Sequence, residues 1–192
     1  MPRLAPRSLV AVLALLLSGA AAPSSAQQPG AARWFGNLTL TDQNGERLRL
    51  YEDLMAGQIV VVNAFYTSCR ASCPLVMGTL SHLRARSLAD GLTVRFISIT
   101  VDPEHDTPER LELYAQTLEA NADWNMLSGD PATVRQALHR FGLDTDPESP
   151  ADHLNVLYMG NLRTGLWKKV FSLAPLDDLE RSLQGVVADH AP

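Results

Sequence analysis

Apolar and polar positions change period several times along the chain. Leu38-Thr-Leu-Thr41 alternates, Asn44-Gly45 marks a turn, and Arg47 to Leu50 alternates again, which predicts a β-hairpin. Ile59 to Phe65 reads IVVVNAF, a continuous β-branched run that suits a strand buried on both faces. After the loop Tyr66 to Ser72, Pro74 fits the first turn of a helix, where a missing N–H costs nothing. Leu75, Gly78, Leu80 and Leu83 carry that helix to about Leu88. Thr93 to Val101 predicts a second central strand. Asp106-Thr-Pro-Glu109 opens a helix to about Glu119, with Thr107 as N-cap and Pro108 at the first helical position. Asn125 to Leu127 reads as a short strand, and Asp130-Pro131 begins a capped helix ending near Phe141-Gly142. A polar, proline-bearing loop from Asp144 to Asp152 precedes a strand over His153 to Met159. Leu166 to Phe171 is its hairpin partner across Asn161 to Gly165, and Pro175 to Val187 is a final helix.

Hairpin, β-α-β-α-β-α, hairpin, helix is an α/β order, with a mainly parallel sheet covered on both faces and antiparallel strands added at the end. It predicts a thioredoxin-like fold with an N-terminal β-hairpin extension. No internal repeat or low-complexity tract interrupts it.

The first residues read differently. Arg3 and Arg7 form a basic start, Leu9 to Leu17 is apolar, and small residues with helix breakers run from Gly19 to Ala26. That is the layout of a secretory signal peptide cleaved after Ala26. An uncleaved anchor is the alternative, although the apolar run is short of the ~20 residues a spanning helix needs. No cysteine follows the run, which argues against a lipid-modified cysteine. The expected organisation is therefore a signal peptide over 1–26, a flexible leader over 27–36 and one folded domain over 37–192, placed in the periplasm or otherwise exported. Membrane attachment is expected only through an uncleaved N-terminus.

Of 192 residues, 46% are hydrophobic and 19% charged, ample for one folded core. Sixteen basic and 21 acidic residues give a net charge of −5; losing the signal removes two arginines and no acid, giving −7. With no basic block, nucleic-acid binding is not expected. The expected state is a monomer. The 2 cysteines, Cys69 and Cys73, cannot build a disulfide scaffold or a four-cysteine zinc site.

Both cysteines lie in Phe65-Tyr-Thr-Ser-Cys69-Arg-Ala-Ser-Cys73-Pro74, where a strand becomes a helix. Helix N-terminal N–H groups and Arg70 favour a thiolate there. The C-x-x-x-C spacing is one residue wider than that of thiol–disulfide exchangers. Three uses compete: a structural disulfide, a catalytic dithiol, and a metal site built from two thiolates. A structural disulfide would close only a short loop, so its entropic benefit would be small. A metal site needs a third ligand. Of the 5 histidines, His82 is expected to face solvent, His105 lies in the Asp102–Pro108 loop, His139 ends a helix and His190 is in the tail. His153 stands immediately before an apolar strand whose start, in a thioredoxin-like sheet, lies beside the cysteine loop. Two thiolates and an imidazole form a soft site that selects copper(I), with zinc as the main competitor. Copper(II) could also be held with oxygen completing the site. Asp152 could supply a fourth ligand or orient the His153 ring.

VVVNAFYTSCRASCP, SITVDPEHDTPERLELYA, DWNMLSGDPATVRQALHRFGL and DHLNVLYM, spread over Leu38 to Val187, together resemble the Sco/SenC copper chaperones. The resemblance implies binding of one copper by Cys69, Cys73 and His153. It further implies delivery to, or maturation of, the CuA centre of cytochrome c oxidase subunit II, with another copper-accepting protein as a related possibility. The alternative it carries is a thiol–disulfide reductase, with Cys69 and Cys73 as its catalytic pair, that keeps such partner cysteines reduced. Asp102 matches the acidic loop residue near the family's site and is expected to support the ligands or dock a partner. The chain differs in carrying Arg70-Ala71-Ser72 between the cysteines and Leu154 after the histidine.

Overall fold

The computed structural model describes residues 29–120, 122–143 and 155–190. Its elements are α1 (Pro29–Phe35), β1 (Thr39–Thr41), β2 (Arg47–Arg49), a π-helical turn (Leu50–Met55), β3 (Ile59–Phe65) and α2 (Cys73–Ala89). They continue with β4 (Arg95–Thr100), α3 (Pro108–Thr117), β5 (Trp124–Leu127), α4 (Pro131–Phe141), β6 (Val156–Asn161), β7 (Leu166–Phe171) and α5 (Leu176–Val187).

Every residue of β3 is buried, as its uninterrupted apolar run requires of a central strand. Successive side chains go to opposite faces. Val60, Val62 and Ala64 join Phe35, Leu40, Leu50, Val134 and Phe141 in one cluster. Ile59, Val61 and Phe65 join Val76, Leu80, Leu83, Leu179 and Leu183 in the other. The sheet order is β5-β4-β3-β6-β7. β3 pairs parallel with β4 and β4 with β5, whereas β3–β6 and β6–β7 are antiparallel. The arrangement is thioredoxin-like, but the sheet is evenly mixed rather than mainly parallel, because β6 and β7 form a hairpin inserted beside the central strand. A buried polar chain ties the parallel strands together. Trp124 Nε1 donates to Ser98 Oγ at 2.9 Å, and the Ser98 hydroxyl donates to Asn63 Oδ1 at 2.6 Å. Such satisfied polar groups favour one register over a slipped one.

The hairpin β1–β2 covers the β5 edge, whose unpaired backbone would otherwise be open to other chains. Thr41 and Ser128 exchange both backbone hydrogen bonds. The Gln43 amide donates to Trp124 O at 2.9 Å and its Oε1 accepts from the Met126 N–H at 2.8 Å.

Two local expectations change. Part of the stretch expected as a flexible leader is α1. Phe35 packs at a tilt against Phe141, ring centroids 4.8 Å apart, and Trp34 Nε1 donates to Arg140 O at 2.8 Å. These partners are more than a hundred residues away, so no local composition announces them. Leu50 leaves the second β segment because Leu50, Tyr51, Leu54 and Met55 share one buried helical face. Thr107 occupies the N-cap position of α3 and Pro108 opens the helix, as expected, without a capping bond from the Thr107 side chain.

No helix among the described residues is long and apolar enough to cross a membrane. Phe35→Ala should destabilise the protein by about 3 kcal/mol through the lost aromatic packing. Urea unfolding checks this; a change near zero would return α1 to the status of a leader.

Candidate functional site

The end of β3 and the end of β4 lie side by side, Phe65 facing Thr100 in register. The Val101 N–H donates to Phe65 O at 2.8 Å, so the pairing runs one residue past the strand. The chain then turns away from the sheet, with the Cys69 N–H on Tyr66 O at 3.3 Å, and enters α2 at Cys73. Cys69 and Cys73 are joined as a disulfide with Cα atoms 5.8 Å apart. Their side-chain environments are tight: Cys73 is 2% exposed and Cys69 7%. Arg70 and Ala71 between them face solvent, as do Pro74 and Leu75. The geometry therefore presents one sulfur pair at the top of the sheet, held at one end by a helix and at the other by a loop.

The loop is pinned from the β4–α3 connection. Asp106 is fully buried, at 0% exposure. Its Oδ2 accepts from the Thr67 N–H at 3.1 Å and from the Thr100 hydroxyl at 2.5 Å. The Thr67 hydroxyl donates to Asp106 Oδ1. Thr100 Oγ1 in turn accepts from the Asp102 N–H at 3.0 Å. Tyr114 stacks on Phe65, and its phenol is pushed up in pKa by burial and, less, by the charge of Asp106. The sequence pattern showed Asp106 only as part of a helix start. A carboxyl at a strand-to-helix junction reads as a cap, and the inward direction of its side chain comes from tertiary packing.

Asp102 lies in the same connection, with its side chain about one-third exposed, and its Oδ1 is 2.7 Å from His105 Nδ1. His105 is pushed above its ordinary pKa, first by that hydrogen bond and then by the charge of Asp102. Asp102 is thus brought to the cysteine end of the sheet, bonded to a histidine that the sequence reading left without a role. His82 faces solvent as expected. His153 and Asp152 lie outside the described residues. Among the described residues, no group of three or more histidine, cysteine or carboxylate side chains is placed to hold a metal. The chain enters β6 at Val156, and the antiparallel register Tyr158↔Val62 puts that start at the cysteine end of β3.

The SCO1/SenC family model matches residues 26–165, which contain the cysteine loop, the β4–α3 connection and the start of β6. The chain belongs to the SCO1/SenC family. Within the family, it is 29% identical to the SCO1 protein homolog of Bacillus subtilis over 93 residues, 48% of this chain and 47% of that one. The chain thus spans about half the length of this curated relative. The copper-bound structure of Bradyrhizobium japonicum ScoI superposes with a TM-score of 0.59 at 26% identity, covering 79% of this chain and 98% of that one. BsSco is a member of the Sco family of cytochrome c oxidase assembly proteins in which a disulfide switch is identified. It shares the fold, with a TM-score of 0.65 at 23% identity over 79% of this chain and 92% of its own.

For this SCO1/SenC member the Asp102–His105 contact has a definite pH signature. His105 should titrate above 6.5 in the folded state, and Asp102→Asn should bring it down. A histidine with a raised folded pKa contributes stability that is complete below the unfolded value and lost as pH rises through the folded one. Proton NMR of the His105 ring reads the midpoint directly; a midpoint at or below 6.5 in the wild type would refute the contact.

Proposed function

We propose that this chain is a periplasmic copper metallochaperone. It binds one copper through Cys69, Cys73 and His153 and delivers the ion to, or helps mature, the CuA centre of cytochrome c oxidase. The observation that carries this reading is the sulfur pair at the top of the sheet, at the same end as the start of β6. His153 stands two residues before Asn155 in the sequence, next to the start of β6. That the relative ScoI has been solved with copper bound supports a copper-binding role for a member of this family.

The disulfide form offers no thiolate. Loading with copper(I) first requires two electrons and two protons, converting the Cys69–Cys73 bond to two thiols, which lose their protons when they bind the soft ion. Redox state and metal loading are therefore coupled at one pair of atoms. Asp102, already bonded to His105, would sit on the surface a partner approaches, and Asp152 would orient or supplement His153.

A second reading is favoured by the disulfide itself: a thiol–disulfide reductase that keeps partner cysteines, such as those of CuA, reduced. That activity has no use for His153 as a ligand. Titration of the reduced protein with copper(I) and copper(II) separates the two. The wild type should hold about one copper, and His153→Ala should weaken it by at least tenfold with the fold intact. Unchanged affinity in that variant would remove the ligand assignment, and a wild type that holds no copper would favour the reductase. We further propose that residues 1–26 are an export signal; N-terminal sequencing of the exported protein should begin at Gln27, and a retained Met1 would contradict cleavage.

A further inference from the structure

The two sulfurs are held by unequal means. Cys73 belongs to the first turn of α2, where the helix fixes its backbone: the Val76 N–H bonds Ser72 O at 3.0 Å. Cys69 has no such support. Its own N–H reaches Tyr66 O at a long 3.3 Å, within the same loop. Cys69 packs in the core cluster, and the polar side-chain contacts that tie this loop to the rest of the protein run two residues earlier, from Thr67 to Asp106. There the backbone N–H and the hydroxyl of Thr67 both end on one fully buried carboxyl group. That carboxyl is itself held by the Thr100 hydroxyl at the end of β4. The clamp thus joins the loop bearing Cys69 to the sheet at a point independent of the disulfide.

We propose that Asp106 is the positioning residue of the cysteine pair: it holds Cys69 beside Cys73 when the disulfide is open. The proposal rests on the reading of Cys69 and Cys73 as the working pair. In the closed form the covalent bond already fixes the loop, so the clamp adds little. In the open form only core packing and the Thr67 anchor restrain the loop, so the anchor narrows the conformers open to it. Loss of the anchor therefore adds conformational entropy to the dithiol and not to the disulfide. The exchange is balanced: a dithiol reagent gives two electrons and two protons to the Cys69–Cys73 bond and becomes a cyclic disulfide itself. Removing the clamp shifts that equilibrium towards the open protein. The same lost convergence lowers affinity for a two-sulfur ligand such as copper(I).

A merely structural carboxyl would change stability and leave this equilibrium alone. The test is the reduction potential of the metal-free protein, read against dithiothreitol redox buffers. Asp106→Ala should favour the dithiol about tenfold, an upward shift of about 30 mV by the two-electron relation. Asp106→Asn keeps an oxygen for the Thr67 N–H and hydroxyl and should recover more than half of the shift. Thr67→Ala, a mild change at a half-buried position, should favour the dithiol about threefold even if Asp106→Ala fails to fold. A Thr67→Ala potential equal to the wild type overturns the proposal. So does an Asp106→Asn shift as large as that of Asp106→Ala, which would make charge rather than geometry the cause. Because the potential is read without metal, a protein that fails to bind copper would sink the chaperone reading and leave this result standing.

Discussion

Burial of β3 on both faces is the constraint from which the rest of the structure follows. A strand with no solvent-facing side needs helices above and below it and hydrogen-bonded neighbours on both edges. α2 and α5 close one face; α1, α4, Leu40 of the hairpin and Leu50 of the π-helical turn close the other. The parallel neighbour β4 requires a crossover, and α2 supplies it. The turn from β3 into that crossover is the cysteine loop. The site is thus placed by the core: the loop emerges where a rigid strand ends, and its second cysteine begins the helix that the crossover demands.

Chemistry at such a junction depends on what the loop is fastened to. The end of β4 lies beside the end of β3, so the β4–α3 connection starts beside the cysteine loop and contacts it at Thr67. Asp106 uses that proximity from the inside, accepting from Thr67 and Thr100, while Asp102 uses it from the outside, bonded to His105. One short segment therefore carries an internal anchor and an external acidic contact. A buried carboxyl is costly unless its oxygens are satisfied, and here three donors converge on it. That concentration of hydrogen bonds marks the loop's attachment as a feature distinct from the packing of the core.

The sequence itself determined the elements whose causes are local. The run Ile59–Phe65, the prolines Pro74, Pro108 and Pro131 and the turn at Asn44-Gly45 act through nearest neighbours, and the strands and helices they announced are present within a few residues of their expected ends. The placing of Cys69 and Cys73 at a strand-to-helix junction was legible for the same reason, since spacing and backbone context are sequence properties, whereas their joining as a disulfide was one of three uses the spacing left open. Only the tertiary structure decided the rest. α1 forms because Phe35 meets Phe141 and Trp34 meets the Arg140 carbonyl across a distance in sequence that no local pattern encodes. The sheet has a parallel and an antiparallel half because β6 pairs with β3 in the opposite direction, on the side away from β4, and β7 follows as its hairpin partner. Asp106 reads along the chain as a helix start and becomes the anchor of the cysteine loop only in the fold. The direction of a side chain at such a junction is set by the elements packed around it, and those come together only when the chain is folded.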